Sequence, residues 1–332
     1  MLEITDLRTY YTLPAGNVRA VDGISFRIGS NESLGLVGES GCGKTTVLKS
    51  IIKLFPYNGG IFGGKIVFKG REISSMSSEE IRHIRWKEIS IIPQSAMNSL
   101  DPVYRVGDQI AEAIRTHENS RDREILDRIE KLFQIVGLER KRLRDFPHQL
   151  SGGMKQRVTI AMALALNPSL VIADEPTTAL DVIVQHNILQ EIIRLQETLH
   201  LSMLYITHDI SMVAEACQKI AVMYAGKIVE IADKADFFKR PYHPYTLGLQ
   251  NAFPSLRSSK RLISIPGFPP DLLHGFEGCR FRERCPFAVG LCREVEPEFR
   301  EVGRSHFSLC HFPERAEEFR QEAKEEKTWS KA

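Results

Sequence analysis

The sequence predicts an α/β fold in which helices wrap a mainly parallel β-sheet. Three observations predict it: short apolar segments alternate with helical stretches over residues 1–235, a glycine-rich loop separates one such segment from a helix, and an acidic pair ends another segment. Beyond residue 236 the sequence pattern changes, because prolines recur and no helical or strand periodicity is sustained. We therefore predict a main domain over residues 1–235 and a smaller C-terminal extension over residues 236–332.

The predicted strands are the apolar segments at residues 2–7, 23–28, 33–37, 65–68, 89–92, 170–173, 203–206 and 220–223. Helical stretches at 79–86, 182–199 and 210–216 lie between several of them, which favours a parallel sheet. A helical subdomain over about residues 95–157 is indicated by apolar side chains on one helical face, at Ile125, Ile129, Leu132, Phe133 and Val136. A turn at Ala225 and Gly226 predicts a hairpin over residues 223–231. The charged end of the chain, 313–332, is expected to be helical or frayed.

Charge and hydropathy exclude several classes of protein. Lys and Arg number 44 against 42 Asp and Glu, so no global field favours nucleic acid, and we expect no nucleic-acid partner. The longest apolar run, near residues 160–166, is far shorter than the roughly 20 residues that span a bilayer. No N-terminal stretch of this sequence combines a basic start with an apolar h-region, so we expect no signal peptide. These features predict a cytosolic protein.

Residues 38–45 carry the most specific motif, Gly-Glu-Ser-Gly-Cys-Gly-Lys-Thr. The pattern is that of a phosphate-binding loop, in which glycines let backbone amides face phosphate oxygens. Lys44 is expected to neutralise the β- and γ-phosphates, and Thr45 to offer its hydroxyl to Mg²⁺. The flanking strand and helix agree, because the helix N-terminus favours an anion. The predicted ATP ligands in this loop are Gly38, Glu39, Ser40, Gly41, Cys42, Gly43, Lys44, Thr45 and Thr46.

Two further segments make the nucleotide site a candidate hydrolase. Asp174 and Glu175 follow a predicted buried strand, where Asp174 suits Mg²⁺ and Glu175 suits a general base for water. Residues 150–157 form a second glycine-containing turn that opens a helix. Ser151 and the amides of the two following glycines suit a γ-phosphate, although capping of the helix by Ser151 is a simpler role.

With residues 150–156 lying between the phosphate loop and the acidic strand, the chain resembles the ATP-binding cassette (ABC) family over residues 2 to about 235. The resemblance implies a parallel sheet core with an antiparallel β subdomain and a helical subdomain. It also implies that two cassettes pair head to tail, each ATP lying between the phosphate loop of one and the signature of the other. The signature residues facing the partner's ATP are Leu150, Ser151, Gly152, Gly153, Met154, Lys155 and Gln156.

Other roles are carried over from the same resemblance. Gln94 matches the glutamine that touches metal and water, so Mg²⁺ is expected at Thr45, Gln94 and Asp174. His208 matches the switch histidine that contacts the γ-phosphate. Tyr11 is assigned to stacking on adenine, in preference to Tyr10. The loop that crosses to the partner cassette matches Ala179, Leu180 and Asp181.

Residues 241–246, Pro-Tyr-His-Pro-Tyr-Thr, resemble a segment of the ATPases of dipeptide and oligopeptide importers. This resemblance implies an ATPase subunit at the cytoplasmic face of a prokaryotic cell membrane. Its partners would be two transmembrane permease subunits and a paralogous ATPase subunit, with a homodimer possible in isolation. An extracytoplasmic solute-binding protein would act indirectly. Import of oligosaccharides or nickel, and a soluble cassette acting on ribosomes or DNA, are alternative interpretations.

Four cysteines cluster in the extension: Cys279, Cys285, Cys292 and Cys310. Their Cys-x5-Cys-x6-Cys-x17-Cys spacing lacks the paired Cys-x2-Cys of most structural zinc sites. Disulfides, Zn²⁺, free thiols and a [4Fe-4S] cluster are all considered. The cluster is favoured because four cysteines at irregular spacing suit it and because the resemblance implies it, since members of the importer family carry one in this extension.

Overall fold

The computed structural model describes residues 1–94, 99–178, 180–252, 262–273 and 275–330. The chain divides into two compact units. The first unit contains Met1–Arg27, Ser33–Ser74 and Thr207–Ala332, and the second contains Ile28–Glu32 and Ser75–Ile206. The first unit therefore takes up the phosphate-binding segment together with the whole C-terminal part of the chain.

Two sheets organise the first unit. A four-stranded sheet has the order β2-β1-β4-β5, with strands β1 (Leu2–Leu13), β2 (Gly16–Ile28), β4 (Gly59–Phe68) and β5 (Arg71–Glu72). A second set has the order β11-β12-β10-β9-β3, with strands β3 (Ser33–Val37), β9 (Lys219–Tyr224), β10 (Lys227–Asp233), β11 (Arg300–Gly303) and β12 (His306–Ser308). Strands β3 and β9 are parallel, whereas β9, β10 and β12 pair antiparallel. The C-terminal extension thus adds two strands to the sheet that holds the phosphate-binding segment.

The helices of the first unit lie mostly in its C-terminal half. They are α1 (Lys44–Ile51), α7 (Ile210–Ala216), α8 (Lys234–Lys239), α9 (Pro244–Ala252), α10 (Gly290–Glu294), α11 (Ala316–Glu322) and α12 (Glu326–Trp329). Helix α12 ends at Trp329, which is only 2% exposed and donates its indole N–H to the carbonyl of Ala323. Burial of a large aromatic side chain holds this terminus in place.

Among the described residues, the second unit combines three parallel strands with five α-helices and two short 3-10 helices, Arg140–Arg144 and Pro147–Gln149. The strands have the order β8-β7-β6, with β6 (Ile89–Ile92), β7 (Leu170–Asp174) and β8 (Ser202–Thr207). The helices are α2 (Ser78–Ile84), α3 (Val106–His117), α4 (Asp122–Ile135), α5 (Gly152–Leu164) and α6 (Val182–Thr198). Every residue of β7 and of β8 is buried, as expected for parallel strands that are covered on both faces.

The α/β prediction is confirmed, and several element boundaries agree closely with it. The predicted apolar face of α4 is buried, since Ile125, Ile129, Leu132 and Phe133 are at most 6% exposed. The predicted hairpin turn has positive φ at both Ala225 and Gly226, which suits the twist of an antiparallel pair. The first strand was predicted too short: β1 extends to Leu13, because its second half pairs with Gly59 to Gly63 of β4.

Among the described residues, no helix combines the length and the hydropathy that crossing a bilayer requires.

Candidate functional site

The phosphate-binding segment lies between β3 and α1 in the first unit. Its Lys44 is 6% exposed, and its Nζ donates to the carbonyls of Gly38 at 2.7 Å and Glu39 at 2.8 Å. Helix α1 begins at Lys44 itself, so the last loop amides stand at a helix N-terminus. Thr45 is exposed, whereas Thr46 is buried. The loop therefore has the geometry of an anion cradle with a lysine folded across it.

Two glycines of this loop are required by close backbone contacts. A Cβ at Gly38 would lie 2.1 Å from the carbonyl oxygen of Met223, and a Cβ at Gly43 would lie 2.1 Å from that of Ala20. Gly43 also has a φ of 110°, in the left-handed region that side chains disfavour. The strands beside the loop thus leave no room for any side chain at these positions.

Tyr11 and Tyr10 point to different surroundings because successive residues of a strand face opposite sides. The hydroxyl of Tyr11 lies 3.4 Å from Oγ1 of Thr46 on helix α1. Tyr10 instead donates to Asp22 at 2.6 Å and stacks on Phe62. The position of Tyr11 beside the phosphate loop agrees with the predicted adenine contact, which stays a prediction.

In the second unit, the end of strand β7 gathers the acidic pair and the glutamine. Gln94 follows β6 and donates from Nε2 to Oε2 of Glu175 at 2.8 Å. Thr178 donates from Oγ1 to the same oxygen at 3.1 Å. Asp174, the last residue of β7, is 8% exposed. Two donors therefore orient the carboxylate that was predicted to be the general base.

The backbone of Glu175 supports the same interpretation. Its φ is 46°, and its amide donates to the carbonyl of Ile206 at 2.8 Å. A left-handed conformation at a residue with a side chain costs roughly 1–3 kcal/mol and is concentrated at functional sites. Sequence reasoning missed Thr178 as an orienting residue, and the only signal was its spacing of three residues from Glu175.

His208 follows strand β8 and is exposed. The adjoining Asp209 fixes the backbone here, since its amide donates to Thr207 Oγ1 and its carboxylate accepts from the amide of Ser211. Asp209 is the N-cap of helix α7, which begins at Ile210, two residues after His208. The side chain of His208 therefore projects from a turn that is held on both sides.

The signature segment opens helix α5. Ser151 is the N-cap, and its hydroxyl accepts from the amide of Met154 at 3.3 Å, so the simpler capping role is present. A Cβ at Gly152 would approach Leu180 at 3.2 Å, and one at Gly153 would approach Val184 at 3.0 Å. The glycine pair thus lets α5 pack close to the start of α6. Leu150 and Gln156 are buried.

The predicted partner-facing loop is described only in part. Ala179 lies outside the described residues. Asp181 is the N-cap of helix α6 and accepts from the amide of Val184 at 3.0 Å, so this aspartate also has a local structural role. The predicted Mg²⁺ ligands are divided between the units, with Thr45 in the first and Gln94 and Asp174 in the second.

The four cysteines of the extension line one small cavity. All six cysteines of the chain lie within the described residues, and all are free thiols. Burial raises the pKa of Cys279 to about 11 and that of Cys310 to about 12, and raises that of Cys285 well above its usual value. The neighbouring thiols raise these pKa values further. Four thiols have the chemistry of cluster ligands, but within the described residues no group of three or more metal-binding side chains is arranged to hold a metal ion.

A buried polar cluster lies beside this cavity, centred on Glu230 of strand β10. Glu230 is fully buried and accepts from the amides of Tyr242 and His243 and from the ring of His306 at 2.7 Å. His243 is 2% exposed and accepts at Nδ1 from the amide of Tyr245. The backbone amides of Tyr242 and His243 therefore anchor the segment at 241–246 to strand β10 of the sheet.

This cluster predicts a loss of stability in acid. Burial lowers the pKa of His243 from 6.5 to about 4, although Glu230 and the Leu309 carbonyl act in the opposite direction. Because the pKa of His243 is lower in the folded chain than in the unfolded chain, the unfolded chain binds the proton more readily. The free energy of unfolding is therefore highest above pH 6.5. Protonation of His243 lowers it by about 3 kcal/mol as the pH falls from about 6.5 toward 4.

Thermal unfolding measured from pH 7.5 to about 4.5 checks this expectation. The wild-type chain should lose stability in that interval, and His243→Gln should lose less with the same change of pH. The exposed His186 offers a matched control, because His186→Gln should keep the wild-type profile. A wild-type slope that is unchanged in His243→Gln would rule out this histidine as the source.

Comparisons with known proteins bear on these features together. The profile described as "ABC transporter" matches residues 21–178, and the profile described as "Oligopeptide/dipeptide transporter, C-terminal region" matches residues 229–292. The dipeptide transport ATP-binding protein DppD of Lactococcus lactis is 43% identical, over 93% of this chain and 89% of that protein. The chain belongs to the family of ABC transporter ATP-binding proteins.

Other relatives and solved structures agree with this membership. The oligopeptide transport ATP-binding protein OppD of Bacillus subtilis is 43% identical, over 92% of this chain and 87% of that protein. Among solved structures, the ATP-binding cassette MJ0796, a dimer in a post-hydrolysis state with ADP and Pi, superposes with a TM-score of 0.64 at 25% identity. It covers 70% of this chain and 99% of its own. The fold is therefore that of an ABC ATPase cassette.

Proposed function

We propose that this chain is the ATP-hydrolysing subunit of an importer of dipeptides or oligopeptides. The observation that carries the proposal is the joining, in one chain, of an ABC cassette to the extension described for oligopeptide and dipeptide transporters. The curated relatives named above are described as peptide transport proteins and match over nearly their whole length.

The ATP site is proposed to use the residues that match the ABC motifs. The loop at residues 38–46 would hold the phosphates, with Lys44 neutralising charge and Tyr11 against the adenine. Thr45, Gln94 and Asp174 would be the Mg²⁺ ligands. A bound Mg²⁺ would neutralise charge on the β- and γ-phosphates. The ABC profile supports this assignment because its match over residues 21–178 includes the phosphate loop, Gln94 and Asp174.

Hydrolysis is proposed to begin with Glu175. Its carboxylate takes a proton from water while the water oxygen bonds to the γ-phosphorus and the bond to the β–γ bridging oxygen breaks. ADP leaves with the electron pair of that bond. Gln94 and Thr178 hold the carboxylate in place, and Lys44 and His208 stabilise the negative charge on the transferred group. Positioning of the reacting atoms and charge stabilisation account for most of the catalysis in this type of reaction.

The proposed working unit is a pair of cassettes at the cytoplasmic face of a membrane. The signature at residues 150–156 would complete the ATP site of the partner, and the segment containing Leu180 and Asp181 would face it. A paralogous ATPase subunit and two permease subunits are the proposed partners, with a solute-binding protein delivering the cargo. ATP binding would close the pair and phosphate release would reopen it.

Reconstitution tests the cargo. The chain is combined in proteoliposomes with its permease and ATPase partner subunits and a solute-binding protein, identified by co-purification, and ATP hydrolysis is followed. We expect peptides to stimulate hydrolysis, with the Glu175→Gln variant as the inactive control. Stimulation by an oligosaccharide or by nickel, with none by peptides, would refute the peptide assignment while leaving the ATPase assignment intact.

We further propose that Cys279, Cys285, Cys292 and Cys310 hold a [4Fe-4S] cluster. Support comes from the four free thiols that line one cavity and from their irregular spacing. The cluster would cross-link segments of the extension. Anaerobic purification should give a brown protein with equal iron and acid-labile sulfide. Bound zinc without sulfide would replace the cluster by the Zn²⁺ alternative, and the absence of both would leave four structural thiols.

A further inference from the structure

The C-terminal extension contacts the phosphate loop at Glu39, the second residue of the motif. Arg284 donates from its two terminal nitrogens to the two carboxylate oxygens of Glu39, at 2.8 and 3.0 Å. The backbone amide of Glu39 donates to the hydroxyl of Tyr245 at 3.1 Å, while its carbonyl accepts from Lys44. Glu39 is thus held at its side chain, amide and carbonyl, and two of these contacts come from the extension.

Arg284 is built into the extension rather than lying on its surface. Its side chain is 6% exposed, its Nε donates to the carbonyl of Pro266 at 2.8 Å, and its guanidinium lies over the ring of Tyr224. The next residue is Cys285, which lines the cysteine cavity. A bidentate pair between a buried guanidinium and a carboxylate has a defined geometry. Arg284 therefore joins the segment that carries Cys285 to the nucleotide loop.

Arg280, a second buried arginine of the same segment, makes similar contacts. Arg280 follows Cys279, is 8% exposed, and pairs with Asp22 of strand β2 while donating to the carbonyl of Ala225. Ala225 lies two residues beyond Met223, whose carbonyl crowds Gly38. The segment between the first two cysteines is thus fastened both to the loop and to a turn beside it.

The electrostatics give the Arg284 contact a consequence for nucleotide binding. Glu39 places a carboxylate in a loop that must receive the negative triphosphate of ATP, and like charges repel in a partly desolvated site. Arg284 offsets that charge and holds the carboxylate by two hydrogen bonds. Without the guanidinium, Glu39 would be an uncompensated negative charge and the loop would lose one of its anchors.

We propose that Arg284 is a positioning residue for the phosphate loop, through which the four-cysteine extension sets the affinity of the chain for ATP. The proposal rests on the proposed function, since it assumes that the loop binds ATP. Arg284 acts through Glu39 and is not assigned a contact with the nucleotide. Its removal should weaken ATP binding, whereas turnover at saturating ATP should change little, because bound nucleotide restores the competent loop.

Equilibrium binding of a fluorescent N-methylanthraniloyl ATP with Mg²⁺ to the full-length chain tests this. If Arg284→Gln lowers the binding-competent population of the loop to a tenth, the apparent affinity falls about tenfold. The double variant Glu39→Gln with Arg284→Gln should bind more tightly than Arg284→Gln alone, because the uncompensated carboxylate is gone. A merely structural role of Arg284 in the extension would not give this rescue.

Two further variants keep the test informative if Arg284→Gln does not fold. Arg284→Lys keeps the charge without the bidentate geometry, and Tyr245→Phe removes only the hydroxyl that accepts from Glu39; each should weaken binding in the same direction by less. Arg293→Gln is the matched control, because Arg293 is an exposed arginine of the same extension, and it should bind like the wild type. Thermal unfolding without nucleotide identifies any variant that has lost its fold.

The outcomes separate the two proposals. A wild-type chain that does not bind ATP would overturn the proposed function itself. A wild-type chain that binds ATP, with Arg284→Gln and Arg284→Lys binding equally well, would overturn only the role of Arg284. A double variant as weak as folded Arg284→Gln would also overturn it, since the effect would not pass through the charge of Glu39.

Discussion

Replacing Glu175 by glutamine should reduce ATP turnover by about 10²–10⁴-fold, the range that a positioned general base contributes. The amide keeps the size of the side chain and can still accept from Gln94 and Thr178, but it cannot take a proton from water. ATP binding should persist, since Glu175 is not assigned a contact with the phosphate groups. Phosphate release by the chain assembled with its partner subunits measures the change.

Two further variants show whether the loss of turnover is specific to the carboxylate of Glu175. Glu197→Gln removes a carboxylate from the exposed side of helix α6 and should leave turnover unchanged. Thr178→Ala removes the hydroxyl that, beside Gln94, donates to the Glu175 carboxylate, and the loss of a hydrogen bond of about 1 kcal/mol predicts a decrease of roughly fivefold. Undiminished turnover in Glu175→Gln would refute the assignment of the general base.

Replacing Gly43 by alanine should weaken ATP binding by about 100-fold or more, since a strain of about 3 kcal/mol corresponds to two orders of magnitude. Its φ of 110° disfavours any side chain, and the new Cβ would lie 2.1 Å from the carbonyl oxygen of Ala20. The loop must therefore leave the conformation in which its amides face the anion. Titration with the fluorescent ATP measures the loss.

Gly41 offers a matched control in the same loop. Its φ is 78°, also in the left-handed region, but a Cβ there would meet nothing within 4 Å. Gly41→Ala should therefore show only the conformational cost of about 1–2 kcal/mol, or a loss of roughly tenfold. Equal losses in the two variants would mean that the close approach at Gly43 is not what the loop requires.

Much of the fold could be predicted because its signals are local. The strand at residues 33–37, the strand at 89–92 and the helix at 210–216 agree with the structure at both ends, since hydrophobic runs and capping residues mark their limits. The extension of β1 to Leu13 could not be predicted in this way. Apart from the buried Thr9, its second half is exposed or partly exposed and is held by pairing with a strand some 50 residues away.

In the candidate site, too, some residues could be predicted from local sequence and others became evident only from the structure. Motif spacing alone pointed to Lys44, Glu175 and Ser151, because the chemistry of phosphate binding and hydrolysis demands particular residue types close together in the chain. The choice between Tyr10 and Tyr11 gained support only from the direction in which each side chain leaves β1. The donor Thr178 became visible only through its hydrogen bond to Glu175.

By itself, the sequence determined that this chain is an α/β ATPase cassette with a cysteine-containing extension, because glycine loops, acidic strand ends and helix caps are written in neighbouring residues. Only the tertiary structure decided that Arg284 meets Glu39 across 245 residues of chain and that four scattered cysteines share one cavity. Such contacts depend on how buried strands and side chains pack, and no local pattern encodes that packing.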